Sequence, residues 1–394
     1  MQALIDVAAK DSQIILEKVR ELSADFAGER SERQRRRELV QADFDRLKDT
    51  GFLLTGVPVD QGGIWESLER SNRTVCEMLR VLAHGDSSVA LVASMHPAVI
   101  SAASGWMIET DVPPQFREAW DEQRRWVFQT ARDGHEWGTI MSEPGSGGDM
   151  AKTKATARPS SHNGTYLLNG EKHFGSGSGI TSYMITLAVP EGETEPELFF
   201  MDMRGVPWDG SAGVTLAAAW DGCGMTATQS HAMTFKDFPA TRSAWPGARQ
   251  QRPNAGGAAS CMFTAVVVGI VETAIETARQ QLARKRDSMR AYEQTEWARI
   301  EIEGWLIQQA YEGMLRAVEQ ASPANRGARL GKAAIVELTE SVMLRICKVI
   351  GGGSYSRHSP YGYWLEDVRA LGFLRPPWGL AIDQIFEGSW PSEE

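Results

Sequence analysis

The chain has 394 residues, of which 42% are apolar and 23% charged, with a formal net charge of −10. Such a length predicts two or three globular domains, and the acidic balance argues against nucleic acid as a partner. Four scattered cysteines (Cys76, Cys223, Cys261 and Cys347), with no CxxC pair, predict reduced thiols in a cytoplasmic protein and no metal site.

Residues 1–50 read as helix, with Ile5, Ala8, Ile15 and Val19 near helical spacing and "SERQRRREL" as a solvated charged stretch. The opening "MQALIDVAAKDSQIILEKVRE" has no basic start followed by an apolar core, so it does not read as a signal peptide. "VPVDQGGIW" at 57–65 interrupts with proline and a glycine pair. Helices resume at 66–83 and over "GDSSVALVASMHPAVISAASG", with Asp86 or Ser87 as N-cap. His96 in that stretch is either a core histidine or a proton donor.

Around residue 131 the texture changes. "WVFQTAR", "YLLNGEKHF", "SYMITLAVP", "ELFFMDMRG", "GVTLAAAW" and "HAMTFKDFP" are short β-prone runs separated by turn residues, and "NGEK" at 169–172 predicts a hairpin turn. Before them, "SEPGSGGDM" at 142–150 is an open loop by chemistry. Pro144 supplies no N–H, and Gly145, Gly147 and Gly148 permit positive φ. Such a loop is either an ordinary surface turn or a place where backbone N–H groups approach a flat or anionic ligand. From "GGAASCMFTAVVVGIVETAIETARQQLARKRD" onward the chain is helical again, through 301–320 and 329–350, until "IGGGSYSRHSPYGYW" breaks it. No apolar run reads as long enough to span a bilayer. The domains are therefore expected at 1–130, 131–245 and 246–394.

That order, with these motifs, resembles the acyl-CoA dehydrogenase family over nearly the whole chain. "IMSEPGSGGD", "YLLNGEKHFGSGS", "GMTATQSHAMTFKDFPA", "VIGGGSY" and "VPVDQGG" each resemble a family motif, in family order. The resemblance implies an α+β multidomain fold: an N-terminal helical domain, a central β-barrel-like domain and a C-terminal four-helix bundle. It implies FAD between β domain and bundle, at a site shared between subunits of a homo-oligomer, a dimer or tetramer. Carried over singly, Met141 and Ser142 would bond the flavin pyrimidine, Phe174 would stack where the family usually has tryptophan, and Ser176 would contact flavin or phosphate. Gly351 and Gly352 would approach the dinucleotide part of FAD on another subunit. Arg284 and Arg286 of "ARKRD" would neutralise its pyrophosphate, or else form a solvated helix end.

The family removes an α-proton of a CoA thioester with a carboxylate while hydride leaves for the flavin. Here an ungapped count from "IGGGSY" places Arg375 at the base position, and "FEGSW" supplies Glu387 only twelve residues later. An arginine cannot be a base, though it can bind a carboxylate, a carbonyl or a developing oxyanion. Gly148 replaces the usual loop serine, and Thr226 the usual arginine. The leading expectation is an FAD-dependent oxidoreductase acting on a CoA thioester, with Glu387 or Arg375 in the catalytic site. The alternative is a flavin monooxygenase of the same fold, which lacks the glutamate and activates O2 on reduced flavin, with His96 or His358 as donor. A non-catalytic flavin-binding protein is a third reading.

Overall fold

The computed structural model describes residues 2–103, 112–161, 164–248, 257–320 and 326–390. Among these residues six α-helices come first: α1 (Gln2–Gly28), α2 (Arg30–Arg33), α3 (Gln41–Asp49), α4 (Leu68–Gly85), α5 (Ser87–Pro97) and α6 (Pro114–Arg132). In α4, Ser67 accepts from the Arg70 N–H as N-cap, and Val75, Met78, Leu79 and Leu82 form the buried stripe. Asp86 caps α5 by accepting from the Val89 N–H at 2.9 Å. Helix α5 then passes into a π-helical turn over Ala98–Ala103 directly after Pro97, whose missing N–H disrupts the i→i−4 ladder. Buried Arg33 ties these helices together through Asp43 (2.6 Å) and Asp86 (2.9 Å).

Seven strands follow: β1 (Trp137–Thr139), β2 (Thr156–Pro159), β3 (Thr165–Gly175), β4 (Tyr183–Pro190), β5 (Glu197–Asp202), β6 (Val214–Ala218) and β7 (His231–Arg242). The path β4-β2-β3-β7-β5 returns to β4 through the β4–β5 pairing, so the sheet closes on itself like a barrel. Closure leaves few free strand edges. The expected "NGEK" hairpin is not a turn. β3 runs straight through it, with a bulge at Leu168/Gly170 against β7. Gly170 has φ +144°, and a Cβ there would lie 2.7 Å from the Ala155 side chain. The Asn169 amide meets the Asp237 carboxylate (3.0 Å), and its carbonyl oxygen accepts from the Asp237 N–H (3.0 Å). An Asn-Gly bulge and an Asn-Gly turn share a local signal, and the long β7 partner decides between them.

The C-terminal bundle comprises α7 (Gly257–Ala283), α8 (Ala291–Glu319), α9 (Arg326–Ile350) and α10 (Pro360–Phe373), followed by α11 (Trp378–Glu387). The sequence reading of no span-length apolar run is corrected here. Gly257–Ala283 is long and apolar enough to cross a bilayer, but most of it is buried, as the central helix of the bundle. Asp367 of α10 joins the three regions, accepting from Ser87 Oγ (2.5 Å) at the start of α5 and from the Met225 N–H (2.6 Å) before β7. Burial pushes its carboxyl up to about 6.

Candidate functional site

The glycine-rich loop leaves β1 through Met141 and Ser142. Ser142 pairs with His173 as an isolated bridge, its carbonyl accepting from the His173 N–H at 2.8 Å. Below the loop lies a buried ion pair. Glu143 accepts from Lys172 Nζ (2.5 Å) and from the Lys154 and Ala155 N–H groups (2.6 and 3.1 Å). Lys172 Nζ also donates to the Leu187 carbonyl at 2.6 Å. Burial pushes the Lys172 amine down, opposed by Glu143 and assisted by the nearby Arg375 charge. The loop is thus anchored from beneath by one buried, hydrogen-bonded charge pair.

Above this anchor, Phe174 stands 56% exposed at φ +58°, its ring edge-on to Trp220 at 6.2 Å. A positive φ is costly for a bulky residue, so the surrounding structure must hold this aromatic in place. Ser176 is buried behind it. Its Oγ lies 2.8 Å from Ser230 Oγ, which in turn lies 2.7 Å from Thr228 Oγ1. Gly145 and Gly147 have φ +76° and +61°, with open space where a Cβ would point.

Arg375 reaches this loop from the segment between α10 and α11. Its Nη2 donates to Ser142 Oγ (2.9 Å) and its Nη1 to the Gly148 carbonyl (3.0 Å). Two sequence expectations thus meet at one place. The other candidates lie elsewhere. Glu387 is exposed at the end of α11, and its carboxylate has no hydrogen-bond or ion-pair partner among the described residues. His96 is 2% exposed; its Nε2 donates to the Leu53 carbonyl (2.8 Å) and its Nδ1 accepts from the Trp137 N–H (3.2 Å). The expectation of His96 as proton donor is therefore corrected. Both nitrogens serve the backbone, and burial pushes the imidazole down to about 4, so it is neutral. His358 is exposed, and His173 is held by Glu171 at 2.7 Å. Arg284 and Arg286 are exposed near the end of α7, and Gly351 (φ +81°) and Gly352 are open at the end of α9.

Sequence reasoning missed the structural parts of this site. Lys172 and Glu143 stand within quoted motifs, but nothing local pairs them. Lys332 of α9 was not singled out. Its signal was a lysine on the same helical face as Ile335, Val336 and Thr339, all buried.

The helix–barrel–bundle arrangement is the acyl-CoA dehydrogenase fold, as the sequence motifs implied. Residues 138–238 match the acyl-CoA dehydrogenase middle domain. It is 26% identical over 353 residues to the amino sugar nitrososynthase DnmZ of Streptomyces peucetius, covering 84% of this chain and 82% of that relative. It is 27% identical over 217 residues to the probable FMNH2-dependent monooxygenase SfnC of Pseudomonas putida, covering 55% of this chain and 48% of the relative. Among solved structures, FMN-bound TdsC from Paenibacillus sp. A11-2 superposes with a TM-score of 0.78 at 19% identity, over 96% of this chain and 99% of that one.

Proposed function

We propose that this chain is a flavin-dependent monooxygenase of the acyl-CoA dehydrogenase fold. It would use reduced FMN and O2 to oxygenate a small organic substrate, one oxygen atom going to the substrate and the other to water as the flavin is oxidised. The observation that carries this reading is Arg375. A side chain that stays protonated, and so cannot abstract a proton, stands where the ungapped count expects a dehydrogenase's carboxylate base, and it is fastened to the glycine-rich loop. Glu387, the glutamate offered by the motif, is exposed, and its carboxylate has no partner among the described residues. The relatives point the same way, since their names describe an FMNH2-dependent monooxygenase and a nitrososynthase. Of the two enzyme readings, oxygenation is therefore better supported than oxidation of a CoA thioester, and FMN better than FAD.

The residues present fit a flat ring. Phe174 offers an exposed aromatic face, and the backbone at Gly145 and Gly147 is open to close approach. Reduced flavin would supply the electrons for oxygen activation. The chain's own residues bind and orient: Met141 and Ser142 address the ring edge, Phe174 covers one face, and Ser176 donates from its hydroxyl chain. Arg375 holds Ser142 Oγ and presents a cation for charge that develops beside the ring. The roles the resemblance implied for Arg284, Arg286, Gly351 and Gly352 at the pyrophosphate and dinucleotide part of FAD fall away with FMN, which carries a single phosphate.

Two mixing experiments test the reading. Anaerobic mixing of FMN-loaded protein with a panel of acyl-CoAs should leave the flavin band unchanged. Reduced FMN, protein and O2 should oxygenate indole or a related small heteroaromatic, with oxygen uptake matched to product. Flavin bleaching by an acyl-CoA would restore the dehydrogenase reading. A protein that retains neither FMN nor FAD would leave only a scaffold role.

A further inference from the structure

Lys332 is 4% exposed in the middle of the bundle, where an ammonium is costly unless its donors are used. Its Nζ donates to two backbone carbonyls, Leu374 (2.6 Å) and Pro376 (2.8 Å). These are the residues on either side of Arg375. The guanidinium of Arg375 in turn grips Ser142 Oγ and the Gly148 carbonyl. A continuous polar chain therefore runs from α9, through the peptide units flanking Arg375, to the glycine-rich loop.

We infer that Lys332 is a positioning residue. By fixing the carbonyls of Leu374 and Pro376, it sets where the Arg375 guanidinium stands against the Ser142 loop. Backbone geometry supports this. Pro376 and Pro377 have no N–H, so this segment cannot be held by its own amide donors at those positions and takes its donor from a side chain instead. Burial pushes the Lys332 amine down to about 7, and the two carbonyls supply acceptors for its hydrogens. What Arg375 faces rests on the flavin reading above; the clamp itself does not.

The test is Lys332→Met in the full chain, which keeps the stem and removes the donors. Without flavin, hydrogen exchange followed by mass spectrometry should speed up about tenfold or more in peptides spanning 142–150 and 374–381, and stay unchanged in β4 and α8. With FMN, affinity read by fluorescence quenching should fall about tenfold, as for loss of one charge-assisted contact. In an Arg375→Ala background, Lys332→Met should cause no further loss of FMN affinity, because it acts through Arg375. A merely structural lysine would weaken FMN binding equally in both backgrounds, and that result, or unchanged exchange at 142–150, would overturn the inference. Should Lys332→Met not fold, Lys332→Gln, which leaves one donor group, is read in the same way. A wild-type chain that binds no FMN would sink the functional reading, and the exchange result would still decide the clamp.

Discussion

Gly148→Ala perturbs the contact between the glycine-rich loop and the Arg375 segment at its tightest point. Gly148 has φ +80°, and an added Cβ would lie 2.6 Å from Cγ and 3.2 Å from Cδ of Pro377. Pro377 has little room to give, since its ring is rigid and the preceding carbonyl is held by Lys332. The left-handed backbone costs an alanine about 1–2 kcal/mol, partly offset by about 0.4–1 kcal/mol of lost unfolded-state freedom. Overpacking adds about 1–3 kcal/mol. The net expectation is a loss of about 2–4 kcal/mol. Gly145→Ala is the control: its φ is +76° and nothing lies within 4 Å of the new Cβ, so only the backbone cost remains. Urea denaturation followed by tryptophan fluorescence reads both. In a Pro377→Ala background most of the excess at Gly148 should vanish. The reasoning fails if Gly148→Ala is no more destabilising than Gly145→Ala, or lies within about 0.5 kcal/mol of wild type. The same contact explains why this chain has glycine where the family pattern has serine.

Arg375→Ala should lower kcat/KM for oxygenation about ten- to hundredfold, and Arg375→Lys, which keeps the charge but not the planar fork, should recover only part of it. Equal rates for all three proteins would remove Arg375 from the site. Glu143→Ala leaves the Lys172 ammonium buried and unpaired, so it should cost about 3–5 kcal/mol. The double variant Glu143→Leu/Lys172→Met should cost less than the sum of its parts, as measured by denaturant midpoints. Burial pushes the Glu136 carboxyl up to about 8. It is therefore protonated when folded and ionised when unfolded between the ordinary carboxylate range and that value. The wild type should lose stability as pH rises through this window, while Glu136→Gln does not. The variant should gain on the wild type by on the order of 5 kcal/mol above pH 8 and show no such gain at acid pH. Parallel thermal-stability curves for the two proteins would refute the shift.

Local chemistry was enough for the order of helix, strand and helix, since each element carries its own period and its own stop signals. The Asp86 cap and the open loop at 142–150 belong to the same class, because proline, glycine and short acidic side chains act within a few residues of themselves. Where two folds of a segment share one local signal, sequence was silent or misleading. "NGEK" reads as a hairpin until β7 lies beside it and turns the glycine into a bulge. Helix α7 has the composition of a membrane span, and only its neighbours in the bundle account for its apolar face. His96 carries two nitrogens that either chemistry or the backbone could claim, and the Leu53 and Trp137 main chains claim both. Arg375 and Glu387 were alternatives in a gapped or ungapped count. The contact of Arg375 with Ser142 spans 233 positions, and that of Lys332 with Pro376 spans 44. Such contacts depend on how the bundle docks on the barrel, a matter of packing between distant segments, and no residue period or motif spacing encodes them.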